Sequence, residues 1–570
     1  MSGIAEVLLG RRALSELAAE LAIERDALLR LSLRYSEAGR RALQGELATR
    51  GLQVKSGPGD VPSPRSFSDG DDSRPARIQK TFVVSDLHLG NGGPYDCYAG
   101  GAELTRFIER EALRQPTRLI CNGDTIDFLL NDDPLTWDRG RAVQQAQAAM
   151  ALPENAAIFA AFGHLLKAGG EVQIRLGNHD AELALPEVQA VLRAALRQPP
   201  AIAAALTFQL GDDPETSGGL LEIGGARILI THGEHDDRWN QLDYARLRAA
   251  SRIDERERGS EGFEYPPGSR LVKRLLNPLK SRYGMRFADL LKPDFQGAAL
   301  TALSVNPLAL RTLLGGSTLQ MLWQLHSRRG LASTFTDPAE SETAGDLGLR
   351  ERLRGAGLDA AEAQALQALL QPGRRPSATA FDDSDDPDGR SPGSRQSSAL
   401  LKLLRAGLSA YAAGQRRLAG REGERFFGLA PTESEWSEAG RLAQKYGVGA
   451  VLFGHSHAAR FFSEGELVYL NTGTWIWLMQ LPPADADVAE WTRFLEALRR
   501  DPGLRQPVPE DDATGPRLLR RLHVARLQAH PASGAHVALC EWLPERGLVV
   551  LREALVPASG TTTSPIRKRV

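Results

Sequence analysis

Short apolar, β-prone runs recur along this chain, and five of them stop at a cluster of metal-ligating side chains. Thr81–Val84 runs into Ser85-Asp86-Leu87-His88, Arg118–Cys121 into Asn122-Gly123-Asp124, and Val172–Leu176 into Gly177-Asn178-His179-Asp180. Arg227–Ile230 leads to Thr231-His232-Gly233, and Ala450–Phe453 to Gly454-His455-Ser456-His457. A sixth run, Leu467–Leu470, ends at Asn471-Thr472-Gly473-Thr474, which offers no strong ligand. Helical stretches such as Glu103–Arg114 and Ala156–Ala168 separate most of the earlier runs. Buried strands alternating with helices predict a layered α/β fold, with the ligands gathered where neighbouring strands end.

Each cluster has its own chemistry. Asp86 and His88 are two apart, so at a strand end they share a face and can chelate one cation. Asp124 is the candidate carboxylate to bridge two cations about 3.5–4 Å apart. Asn178 offers a neutral amide oxygen, while His179 beside it points elsewhere and is free to donate a proton. His232 closes an aliphatic run, and His455 and His457 stand two apart in a chain holding only 11 histidines. Taken singly, these fragments have ordinary explanations as turns, helix caps or core histidines. Their joint order on consecutive strands supplies hard oxygens, imidazoles and a bridging carboxylate, which is the inventory of a two-metal phosphate-ester hydrolase. His235, three residues beyond His232, is a candidate for substrate contact rather than a ligand.

At 570 residues the chain exceeds one ordinary domain. Residues 1–55 carry Leu and Ala at helical spacing, and 56–77, rich in Pro, Gly, Ser and Asp, read as a flexible linker. The catalytic core is expected over 78–240 and 446–480. A helical cap is expected over 241–445, with a disordered stretch at about 374–398, and a helix near Ala489–Arg500 and three strands within 481–570 complete the core. Within the cap, the basic amphipathic stretch from Ser269 suits either packing on the core or contact with an anionic membrane. Arg270 and Arg274, four apart, are placed to face one phosphate from a regular helix.

A formal charge of −2 gives no global pull toward nucleic acid. No run approaches the length of a membrane span, and the charged N-terminal stretch does not read as a signal peptide. Three scattered cysteines, Cys97, Cys121 and Cys540, form no disulfide framework. The expectation is a cytoplasmic protein, with peripheral membrane attachment left open.

These motifs resemble the calcineurin-like metallophosphoesterase superfamily. Ser85-Asp86-Leu87-His88-Leu89-Gly90 and Asn471-Thr472-Gly473-Thr474-Trp475 particularly resemble its UDP-2,3-diacylglucosamine hydrolase branch. The resemblance covers about residues 80–240 and 445–480, and the inserted block is far longer than that branch's short cap. It implies a β-sandwich flanked by helices with two divalent cations at one edge, Mn²⁺ favoured and Fe, Zn or Mg as alternatives. One cation would be held by Asp86, His88, Asp124 and His457, and the other by Asp124, Asn178, His232 and His455. His179, oriented by Asp127 or Asp180, would protonate the leaving oxygen or stabilise developing charge while a metal-bound hydroxide attacks phosphorus. The substrate class so implied is a small or amphiphilic phosphate ester or pyrophosphate, nucleotide- or lipid-linked. Two competing readings are a nuclease or cyclic-nucleotide phosphodiesterase, and a non-catalytic interaction module of the same shape.

Overall fold

Alternation along the strands decides the architecture. The computed structural model describes residues 78–252 (apart from 212, 216, 238 and 239), 263–284, 428–480, parts of 493–503, and 517–558. The expected N-terminal helices, the linker, the stretch at 374–398 and most of the inserted block lie outside the described residues.

Strands β1 (Lys80–Val84), β2 (Thr117–Asn122), β3 (Glu171–Arg175) and β4 (Thr207–Gln209) are parallel neighbours. Four further strands, β5 (Leu220–Ile223), β6 (Ala226–Ile230), β7 (Ala450–Phe453) and β8 (Ala459–Glu464), combine with β9 (Leu467–Thr472) into a second sheet ordered β5-β6-β7-β9-β8. Its central strands β6, β7 and β9 are parallel. A two-stranded ribbon joins β10 (Leu478–Gln480) to β11 (Arg517–Leu519). The antiparallel strands β12 (His523–Ala529), β13 (Ala535–Leu543) and β14 (Gly547–Val556) extend the first sheet beyond β1, giving the order β14-β13-β12-β1-β2-β3-β4. The fold is thus mixed α/β with a large mixed sheet flanked by helices, as the alternation of runs predicts.

Successive side chains go to opposite faces. Val83 of β1 and Ile120 of β2 enter a cluster shared with Ile228, Ile230, Leu452 and Leu470 of the second sheet, so the two sheets pack face to face. Their neighbours Phe82, Val84, Leu119 and Cys121 turn the other way, onto Ile158, Phe159, Phe162 and Leu165 of the helix Pro153–Lys167. On the far side of the second sheet, Leu229, Val451 and Tyr469 pack against Ala439 of the helix Glu433–Tyr446. Thr432 and Glu435 close a capping box at that helix's start and Gly447 ends it with φ +60°. A helix that the sequence places in the inserted block therefore forms an outer layer of the core.

Strands β4, β5 and β8 carry no signal read from the sequence; β4 and β5 are short, and β8 ends in three exposed residues. The last three strands fall where the sequence puts them, and the described positions of 493–500 are helical. All three cysteines are buried and in no disulfide. Among the described residues no single helix is long and apolar enough to cross a membrane; the helices Arg139–Ala151 and Pro153–Lys167 pass such a test only as a pair bent by 90°.

Candidate metal centre

The parallel strands of the two sheets end side by side, and every ligand cluster lies just past such an end: Asp86 and His88 after β1, Asp124 after β2, Asn178 and His179 after β3, His232 after β6, His455 and His457 after β7. Backbone bonds draw these loops together. His88 N donates to Asp124 O at 2.9 Å, Gly454 N to His232 O at 2.9 Å, and Asp86 N to Gly123 O at 3.1 Å. The sheets are stitched across their common edge by Asn122, whose side-chain amide donates to Thr231 O (2.8 Å) while its carbonyl accepts His232 Nδ1–H (2.8 Å).

Crowding at this edge requires unusual backbone. Asp86, His88, Asp124, His455 and His457 all have φ between +46° and +64°, in a region that side-chain-bearing residues seldom adopt. Strain of this kind persists where surrounding structure over-determines it, and it clusters at functional sites. Two glycines show how tightly the loops approach. A Cβ on Gly123 would sit 2.2 Å from His232 Nδ1, and one on Gly177 would sit 2.2 Å from Asp124 Oδ1.

One group of ligand atoms converges fully. Those of Asp86, His88, Asp124 and His457 lie within 4.8 Å of one another, all buried. His88 Nε2 is 3.2 Å from His457 Nε2 and 3.7 Å from Asp124 Oδ2, and His457 Nε2 is 3.3 Å from Asp86 Oδ1. The other group is looser. His232 Nε2 stands 3.5 Å from Asp124 Oδ2, and its ring centre lies 5.3 Å from that of His455. His455 Nε2 instead meets Asp237 Oδ2 at 3.1 Å, and the amide nitrogen of Asn178 donates to Asn240 at 3.3 Å.

The residues fit a divalent cation. His88 Nδ1–H donates to Asp127 and His232 Nδ1–H to a carbonyl, so in the neutral tautomer each ring aims an Nε2 lone pair at the Asp124 carboxylate. Two electron-rich groups face each other stably only with a proton or a cation between them. Asp86 Oδ1, Asn178 Oδ1 and His232 Nε2 are buried without a hydrogen bond, which is costly unless something ligates them. Electrostatics agrees. Burial opposes ionisation of Asp86, yet His457 and His232 hold its carboxyl down at about 2. Burial likewise opposes ionisation of Asp124, and His232 and His179 more than offset it.

Asp127 is the carboxylate on His179: one of its oxygens, Oδ2, accepts both His179 Nδ1 (2.9 Å) and His88 Nδ1 (2.8 Å). Asp180 does not take that part. Its oxygens accept the backbone N–H groups of Gly177 (2.6 Å) and Thr125 (2.7 Å), tying two ligand loops together. Burial, then the neighbouring Asp124, push its carboxyl well above the usual range.

The residues expected to meet substrate are placed otherwise. Arg270 is held by Glu264 and the carbonyl of Tyr265, and Arg274 is exposed. Arg270 lies on the α-helix Pro267–Leu271 and Arg274 on the π-helical turn Val272–Leu276 that continues it. Lys273 turns inward and donates to Asn131 O at 2.8 Å, and Lys280 is buried. In its described part the basic stretch therefore packs on the core. His235 stacks on Tyr244 and pairs with Glu234.

Supporting residues carry no ligand signature, and the sequence does not show what they brace. Asn471 donates to Gly454 O (2.7 Å), Thr472 pairs with Ser85 (2.6 Å), and Thr474 donates to Asp86 O (2.8 Å). The sixth motif thus braces the ligand loops of its neighbours. Asn122, Asp237 and Asn240 belong to the same class; only their polar character near a motif could have marked them. A scan against protein-family models and a search of curated proteins both find no match for this chain.

Proposed function

We propose that the protein is a metallophosphoesterase using two divalent cations, Mn²⁺ foremost, to hydrolyse a small or amphiphilic phosphate ester or pyrophosphate. The observation that supports this most is the buried convergence of Asp86, His88, Asp124 and His457, with the His179–Asp127 pair directly alongside. Asp86, His88, Asp124 and His457 would hold one cation; Asp124, Asn178, His232 and His455 would hold the other. Cations so placed supply an acidified water and neutralise charge on the phosphoryl oxygens.

The protein's own side chains then orient and move the proton. Asp127 fixes His179 through Nδ1, so the opposite nitrogen, Nε2, would be the one to protonate a departing oxygen. His179 N also donates to Asp124 Oδ1 at 2.8 Å, which ties the backbone of the histidine to the Asp124 carboxylate. The same Asp127 oxygen sets the tautomer of His88 and with it the lone pair offered to a cation.

Bis(4-nitrophenyl) phosphate turnover by the full chain tests the reading. Activity is expected with Mn²⁺ and none after exhaustive chelation; full activity in the chelated protein would reject it.

A further inference from the structure

A second polar site adjoins the metal centre. Phe128, Leu135, Arg141, Glu182, Tyr265 and Lys273 are among the residues lining a crevice whose enclosed space is about 20 Å³. That is far below the size of a whole-ligand site, so it suits a single polar group at the tip of a substrate arm. Its walls are the loops that carry the proposed proton donor. Phe128 follows Asp127 and donates its N–H to His179 O (3.1 Å), and Glu182 lies on the short 3₁₀ turn Ala181–Ala184 just after His179 and Asp180. The described part of the inserted block closes the other side: Tyr265 Oη donates to Glu182 Oε1 at 2.6 Å, and Lys273 reaches Asn131.

Glu182 is only 6% exposed, and its second oxygen, Oε2, is buried with no hydrogen bond. Burial of an unmatched acceptor is costly unless a ligand or water supplies a donor. With apolar Phe128 and Leu135 on one side and Lys273 on another, the crevice suits a compact group able both to donate and to accept. We propose that it is a substrate-recognition subsite for a hydroxyl- or amide-bearing group esterified to the phosphate, with Glu182 as its specificity residue. Burial also lifts Glu182 to about 7 and lowers Lys273 to about 8, so neither is locked in its charged form near neutrality.

This inference rests on the phosphoesterase reading, and the test separates the two. Glyceryl 4-nitrophenyl phosphate and propyl 4-nitrophenyl phosphate share a leaving group and differ only in two hydroxyls. The wild-type chain with Mn²⁺ is expected to favour the glyceryl ester by about tenfold, expressed in KM. The double variant Glu182→Met/Tyr265→Phe removes both partners of the buried bond while keeping volume, which protects folding; in it the ratio should fall to about one. No preference in the wild type, or the same preference in both proteins, would overturn the subsite. Hydrolysis of neither ester with Mn²⁺, Zn²⁺ or Fe²⁺ would instead sink the phosphoesterase reading. Calorimetry with glycerol 1-phosphate then judges the crevice alone: heat lost in the double variant supports it, and no heat in the wild type overturns it.

Discussion

The two flanks of the metal centre are built to different tolerances. On one, the ligand atoms of Asp86, His88, Asp124 and His457 already lie within 4.8 Å of one another, and a carboxylate fixes the ring of His88. On the other, His455 Nε2 is bonded to Asp237 and must give up that partner before it can ligate, while Asn178 is held through its amide nitrogen by Asn240. Preorganisation lowers the cost of binding. The close flank should therefore take a cation first and more tightly, with the other following at higher concentration. Asp124, in contact with His88 and His232 alike, joins the two.

The severest way to break this comparison is to remove the residue common to both flanks. Asp124→Asn should cut hydrolysis of an aryl phosphodiester by at least about 1,000-fold and abolish both cation-binding events in a calorimetric titration with Mn²⁺. Splitting the flanks comes next. His457→Ala should eliminate the tight event, whereas His455→Ala should leave it intact and weaken only the second, by about tenfold. Equal damage to both events from either variant would erase the proposed difference.

Acid dependence sharpens the contrast between the metal centre and its neighbouring crevice. Burial raises Glu182 from 4.5 to about 7, so the folded protein binds this proton more tightly than the unfolded chain does. The sign follows: the contribution is fully present below pH 4.5 and is lost as pH rises to about 7. Over that range the loss is about 3 kcal/mol. Asp86, held at about 2, runs the other way and loses its contribution as pH falls below its ordinary value of 3.8. Denaturant unfolding of metal-free wild type and Glu182→Gln between pH 5 and 7.5 should show stability falling more steeply with pH in the wild type; equal slopes would remove Glu182 from this account.

Smaller effects remain. Gly177→Ala would put a methyl group against Asp124 and should cost about 2 kcal/mol in stability, read as a lower unfolding midpoint, with loss of the tight cation event. Asp237→Ala should free His455 and tighten the second event by about threefold; a weaker second event would make Asp237 a ligand in its own right.

Much of the centre was legible because strand ends in α/β sheets are where functional side chains collect, and glycine next to a ligand marks a close approach. Asp86, His88, Asp124 and His457 could be picked out for that reason. Asn471, Thr472 and Thr474 stand out by resemblance, but their bracing role does not, since a bond from a side chain to a distant carbonyl leaves no periodic trace. Choosing between Asp127 and Asp180 also needed coordinates: both lie near His179 in the chain or in space, yet only Asp127 bonds its ring. Arg270 is held by Glu264 and the carbonyl of Tyr265, contacts that helical spacing alone does not reveal.

From the chain's order of residues alone came the alternating layers, the strands that end in candidate ligands, and the choice of those candidates, because local hydrophobic patterning and donor chemistry need only neighbours to be read. Tertiary structure decided the rest: which ligands converge closely, which carboxylate holds which imidazole, and where the described inserted segment folds back to build a crevice. Those outcomes depend on contacts between residues hundreds of positions apart, such as Ser85 with Thr472, and no local pattern encodes their distances.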